Sequence, residues 1–298
     1  SGGFFGPAAV GANFGALMKA HPVYVDPMAS LAGGYMVNFR SYCSVSYPPE
    51  MDLWGLPEKV KHYNLSAPLF GQQHFCQDMQ IGLDLGYGGL LNKVRRYRDL
   101  NAPEHADFYA GEEAVLLGLQ DWIGRTAAEA RRMAEAEERA EVRQNLFEVA
   151  DMNDWLVTEP PRTYREACQW ILWYLMMARM YNGSGSGGRL DVLLTPYYLR
   201  DTAAGILTRE EAEFHFANVL LRDTTYLQLG GPDETGRDVT NEVSFVILEA
   251  AHHLRIPTNV GVSVGAGTDR RMLRRAVEIQ FEDRAGTPKF LGTENIVR

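Results

Sequence analysis

Two pairs of residues have the types and spacing for chemistry. His74 and Asp78 stand four positions apart. On a helix they would share a face, as an acid–base pair or as two metal ligands. No third His or Cys at metal spacing lies nearby, so a zinc site is not expected. His252 and His253 are adjacent, and neighbours on a helix point to different faces, which argues against a joint metal role. The glycine loop at Gly230 has no Gly-Lys-Ser/Thr ending and carries Asp233 and Glu234, whose charge opposes a phosphate. It lacks the carboxylate spacing of a calcium loop, and the chain has no Gly-x-Ser-x-Gly nucleophile elbow. Generic motifs leave the reaction open.

The densest polar constellation runs from Tyr226 to Leu248. Tyr226 to Leu229 alternates and reads as a strand end. Gly230, Gly231, Pro232 and Gly236 then force a loop. Asp238, Thr240, Asn241, Glu242 and Ser244 lead into a helix-like run, Val243 to His253. A strand handing over to a helix is where α/β enzymes aim side chains into a pocket. The alternative is a surface turn with an Asp or Thr helix cap.

The elements that must position these residues follow from pattern. Six prolines within residues 1 to 60 break any long helix there, leaving a short helix at Ala12 to Ala20 and extended segments at 35–39 and 41–47. Gly82, Gly86 and Gly89 fall on one face of a helix before Lys93 to Tyr97, implying close approach of another backbone. Phe108 to Leu156 has helical periodicity but is long for one helix, so a break is expected near Glu135 to Glu141. Thr163-Tyr164-Arg165-Glu166 is a capping box opening a helix to about Tyr181, apolar nearly all round. Residues 182 to 188 have linker composition, and Arg189 to Leu194 reads as a buried strand. A second capping box, Thr208 to Glu211, starts a helix to about Arg222. Beyond the polar constellation come a strand at Thr258 to Val264, a helix from Asp269 to Asp283 and a loop from Gly286 to Phe290. Alternating strands and helices give the fold class α/β.

Composition sets the outer bounds. The 298 residues suffice for a large core, with 46% hydrophobic and 22% charged residues and no disorder signature. A net charge of −9 argues against nucleic acid or an anionic membrane as the main partner. No apolar run has the length of a membrane span; the stretch Trp170 to Met180 is interrupted by Arg179. Three cysteines, Cys43, Cys76 and Cys168, are too few for a disulfide scaffold, which points to a reducing cytoplasm. The start has neither Met nor a basic leader, as expected of a processed, tagged or excised chain.

Four stretches, in order, resemble the glycyl radical enzymes, the pyruvate formate-lyase family. They are Thr163 to Asp201 with Gly188-Arg189-Leu190-Asp191 inside it, Leu229-Gly230-Gly231 to Ser244, Pro257 to Thr268, and Gly286 to Phe290. The Gly-x-Asp-x-Thr-Asn-Glu-x-Ser pattern from Gly236 to Ser244 is the most specific. The match is best over residues 105–298 and looser over 1–105, through Gln73-His74 and Asp78. The resemblance implies a ten-stranded α/β barrel of two antiparallel five-stranded halves, wrapped by helices. It implies a radical on a backbone glycine, installed by a radical-SAM activating enzyme, and a cysteine thiol that abstracts hydrogen from substrate under anaerobic conditions. It implies lyase, dehydratase or formate C-acetyltransferase chemistry on a small-molecule substrate, and a homo-oligomer at full length.

By the same resemblance His74 and Ser184 match substrate-contacting positions of the dehydratase branch, with Gly183 where a His is usual. Arg189 and Asp191 are expected as a structural pair at a strand entry, and Asp238, Thr240 and Asn241 as caps of the following helix. None of the three cysteines sits in a Gly-Cys context, and no glycine-radical motif occurs. The expectation is therefore a piece of a glycyl radical enzyme, inactive alone, holding no cofactor or metal itself but supplying scaffold and half of a substrate pocket. The alternative is a truncated, non-catalytic barrel relative acting as a binding or assembly module. Open sheet edges in such a piece favour self-association.

Overall fold

The computed structural model describes residues 3–35, 44–45, 62, 74, 76–182 and 185–293. Two layers emerge among them: an N-terminal group of helices and a C-terminal parallel sheet with its crossover helices.

The N-terminal group comprises α1 (Pro7–Ala20), α2 (Gln80–Leu100), α3 (Ala106–Ala136) and α4 (Ala140–Leu156). A small parallel pair, β1 (Gly3–Phe4) and β2 (Ser44–Val45), lies beside it. The expected break in the long helical region falls between Ala136 and Ala140. In α2, Gly82 lies against the Trp170 ring and Gly86 against the Glu159–Pro160 backbone, whereas Gly89 meets only Leu85 of its own helix. Gly86 departs from helical geometry (φ 64°), so the helix is kinked and the three glycines do not form one face. Of the extended segments expected at 35–39 and 41–47, residues 44–45 form β2 and Tyr35 is in no strand; the rest lie outside the described residues.

The central helix α5 (Tyr164–Asn182) buries Trp170, Ile171, Leu172, Trp173 and Met176 completely. Its capping box is half closed. The Thr163 hydroxyl accepts from the Glu166 amide at 3.2 Å, but the Glu166 carboxylate accepts from the Arg162 amide instead of that of Thr163.

After α5 the sequence reading needs two corrections. Part of the linker-like run is a buried strand, β3 (Ser186–Gly188). The expected strand at Arg189 to Leu194 is the start of a helix, α6 (Leu190–Ala203). A short apolar run does not separate strand from buried helix by periodicity. The longer pattern does: Leu190, Leu194 and Tyr198, four apart, are all buried. The chain continues through α7 (Arg209–Arg222), β4 (Tyr226–Leu229), α8 (Glu242–Leu254), β5 (Asn259–Val264), α9 (Arg270–Asp283) and β6 (Lys289–Gly292). The stretch expected as a loop to Phe290 thus ends inside a strand.

The four strands β3-β4-β5-β6 are parallel and lie in sequence order. Right-handed crossovers that always add the next strand on the same side place every crossover helix on one face. Leu227, Leu229, Val260 and Val262 are buried on that face, in one core with Trp170, Trp173, Phe216 and Ile247. Cys76 forms an isolated parallel bridge with Ser186, so a fifth strand position begins at the outer edge of β3. This is an α/β fold. The ten-stranded barrel exceeds what is seen: the described sheet has four strands, with no antiparallel partner half.

Candidate active site on the open face of the sheet

Strand alternation divides the side chains of the sheet. Tyr226 and Gln228 project away from the helices, because Leu227 and Leu229 project toward them. Register carries the same division across the sheet. Tyr226 pairs with Asn259, Gln228 with Gly261, and Gly261 with Lys289. The outward side chains make two polar groups, one around Tyr226 and one at Gln228 and Ser263. Lys289 Nζ donates to Asn259 Oδ1 at 2.8 Å and stands 5.3 Å from the Tyr226 ring centroid. Gln228 Nε2 donates to the Ser263 hydroxyl, and the Ser186 hydroxyl donates to the Tyr226 carbonyl at 3.2 Å. The exposed His74 ring meets the Tyr226 ring edge-on, with centroids 4.5 Å apart. Donors, acceptors and one cation therefore lie on the face opposite the described crossover helices.

A second constellation lies at the carboxyl ends of the same strands, and it is consumed by structure. Asp191 is fully buried. Its Oδ2 accepts from the Gly230 amide at 2.8 Å and the Ser244 hydroxyl at 2.7 Å, while Oδ1 accepts from the Val192 amide at 2.9 Å. Burial raises its carboxyl above the usual range, opposed by those donors and by the nearby Arg189 charge. Gly230 (φ 60°) and Gly231 (φ 90°) both require the left-handed region that glycine permits. A side chain at 230 would also strike the Thr240 hydroxyl.

The site residues named from sequence separate accordingly. Arg189 and Asp191 do not bond each other; both grip one turn, since Arg189 donates to the carbonyls of Pro232 (2.9 Å) and Gly231 (3.1 Å). They sit at a helix entry, not the strand entry expected. Of the three expected caps, only Asn241 caps α8: its Oδ1 accepts from the Val243 and Ser244 amides while its own amide donates to the Ser244 hydroxyl. Asp238 instead ties Gly231 to the start of α9, accepting from the amides of Gly231 (2.8 Å) and Asp269 (3.1 Å). The Thr240 hydroxyl is buried without a hydrogen-bond partner among the described residues. His74 and Asp78 do not share a helical face, because α2 begins only at Gln80; Asp78 accepts from the Gln80 amide at 3.2 Å. Ser184 lies outside the described residues, as does Cys43.

Tyr226, Gln228, Asn259, Ser263 and Lys289 were not singled out from sequence. The signal was available in the alternation Tyr-Leu-Gln-Leu and Asn-Val-Gly-Val-Ser-Val, whose odd members are the polar ones. Of the adjacent histidines, His252 contacts Asp283 at 2.8 Å and His253 lies 3.5 Å from Glu213. Among the described residues no three His, Cys, Asp or Glu side chains are placed to hold a metal. No described helix is long and apolar enough to cross a membrane.

A family model for pyruvate formate lyase-like proteins matches residues 38–298. This chain belongs to the pyruvate formate lyase-like family. Its relatives include the trans-4-hydroxy-L-proline dehydratase of Clostridioides difficile, 30% identical over 234 residues, covering 70% of this chain and 29% of that protein. The glycyl radical subunit of 4-hydroxyphenylacetate decarboxylase from Clostridioides difficile is 28% identical over 173 residues, 50% of this chain and 19% of that protein. Among solved structures, the glycerol-bound B12-independent glycerol dehydratase of Clostridium butyricum superposes with a TM-score of 0.81 at 18% identity, over 97% of this chain and 46% of that one. That likeness carries the fold. The chain thus spans less than half the length of these relatives.

Proposed function

We propose that this chain is part of a glycyl radical enzyme of lyase, dehydratase or formate acyltransferase type, and that it contributes scaffold and half of the substrate pocket for a small organic substrate. The observation that carries the reading is the two-sidedness of the sheet. One face is apolar and packed under crossover helices, while among the described residues the other presents His74, Tyr226 and Lys289 exposed and Gln228 and Asn259 half-buried. All-parallel sheets are stable with both faces covered, so a second set of strands closing over the polar face gives a barrel with that face inside. Substrate then contacts His74 and, by the resemblance, Ser184. Arg189, Asp191, Asp238 and Asn241 hold the strand ends in register around it, and Thr240 packs against Gly230.

The glycyl radical, installed by a radical-SAM activating enzyme, supplies hydrogen-atom abstraction through a cysteine thiol. The described thiols do not suit that role. Cys168 is wholly buried within α5, where burial pushes its thiol far up. Cys76 stands at the edge of β3 beside Gly188, and not on a loop reaching over the sheet. We therefore assign thiol and radical glycine to residues outside the described part of this chain, and to this chain the work of binding, orienting and excluding water. Free cysteines and oxygen-sensitive chemistry suit an anaerobic cytoplasm. The test is anaerobic treatment of the 298-residue chain with a radical-SAM activating enzyme, followed by EPR. A silent spectrum is expected; a glycyl doublet from this chain alone overturns the division of labour.

A further inference from the structure

We infer that Lys289 makes the open face selective for a small substrate bearing a carboxylate or similar anionic group. The inference rests on reading this face as a substrate pocket and adds the charge of what binds there. Lys289 leaves β6 in register with Gly261, so no side chain on β5 stands directly beside it. It folds back over the sheet onto Asn259 Oδ1 (2.8 Å) and the Tyr226 ring (5.3 Å to the centroid). Asn259 is itself oriented, because its Nδ2 donates to the Thr224 carbonyl at 2.8 Å and leaves Oδ1 for the ammonium. An ammonium has three donors. Asn259 takes one, and among the described residues no carboxylate lies within the 4.0 Å of an ion pair with Lys289.

Contrast sharpens the point. The chain carries a net charge of −9, and some half-buried arginines elsewhere pair with carboxylates, Arg179 with Asp223 and Arg275 with Glu249 and Glu282, whereas Arg189 and Arg222 spend their donors on carbonyls and an amide oxygen. The contacting cluster His74, Tyr226, Asn259 and Lys289 holds a cation and no acid. The ammonium is held by a strand and an oriented amide before any ligand arrives. A charge-assisted hydrogen bond from it to an anionic group is stronger than any a neutral hydroxyl would make there. The competing explanation is that an inward-leaning lysine on an edge strand guards against strand pairing. In that case ligand charge should not matter.

The experiment titrates the 298-residue chain with glycerate and with glycerol, which match in size and differ in charge, following the NMR signals of His74, Tyr226 and the Asn259 side-chain amide. Wild type should bind glycerate about tenfold or more tighter than glycerol, with the gap shrinking as salt rises. Lys289→Met should bring glycerate close to the level of glycerol while weakening glycerol far less, and Lys289→Arg should keep most of the preference. Equal binding of both ligands by wild type, or a preference that survives Lys289→Met, overturns charge selection and leaves the pocket standing. If neither ligand perturbs these signals, the pocket reading fails and the inference with it.

Discussion

Asp191→Ala removes the acceptor on which α6, the end of β4 and the first turn of α8 converge. The cost follows from what it strands. The Val192 amide keeps a partner, because it also reaches the Arg189 carbonyl at 3.1 Å. The Gly230 amide and the Ser244 hydroxyl lose theirs, and both groups are buried. Each stranded buried donor costs about 1–3 kcal/mol, giving about 2–6 kcal/mol before relaxation. Part is returned, because burial already disfavours the carboxylate, as its raised pKa records. A net loss of about 2–4 kcal/mol is expected, a large share of a typical domain's stability. Asp191→Asn should fall between, since its amide offers one acceptor where the carboxylate offers two. Urea unfolding reads the loss as a lower midpoint at unchanged slope. Hydrogen exchange should report lost protection at Gly230 and the start of α8 and little change in α3. An Asp191→Ala midpoint within about 1 kcal/mol of wild type, with Gly230 still protected, refutes the reasoning.

Two further outcomes follow from the packing. Gly188 sits at φ 65° with Cys76 Sγ where a β-carbon would stand. Gly188→Ala should therefore lower the melting temperature through about 1–2 kcal/mol of left-handed strain plus the clash, and Cys76→Ala should recover only the clash in a double-mutant cycle. His215 is held neutral, its pKa pushed from 6.5 down to about 3, first by burial and then by the Arg165 charge. A depressed histidine binds fewer protons folded than unfolded between those two values, so stability is full above pH 6.5 and is lost as pH falls toward 3. His215→Gln should erase about 2–3 kcal/mol of the loss between about pH 7 and pH 4.5; equal acid sensitivity of variant and wild type in urea titrations counts against it.

Fold class was legible because helix boundaries and strand alternation are local. The Thr208 box closes fully on Glu211, and the start of α9 beside Asp269 and the break after Ala136 fall where pattern puts them. What failed was non-local. The run Ser186 to Leu194 reads as linker then strand, since nothing local reports that Leu227 and Thr225 pack against Gly187 or that Tyr198 extends the buried row of α6. The polar constellation from Gly230 to Ser244 was visible, but its role depends on Asp191, some 40 residues earlier, which turns it inward as a clamp. The open-face group was hidden for the same reason: Tyr226, Asn259 and Lys289 meet only through the register of three strands.

The central claim is that this chain supplies a polar half-pocket to a radical enzyme completed by other residues. The most direct measurement is anaerobic EPR and turnover after reconstitution with a polypeptide carrying the thiol loop and radical glycine. That polypeptide, once activated, should show a glycyl doublet, and substrate turnover should require this chain with Tyr226 and His74 intact. Full turnover in the absence of this chain, or with both residues replaced by Ala in a folded chain, would contradict it.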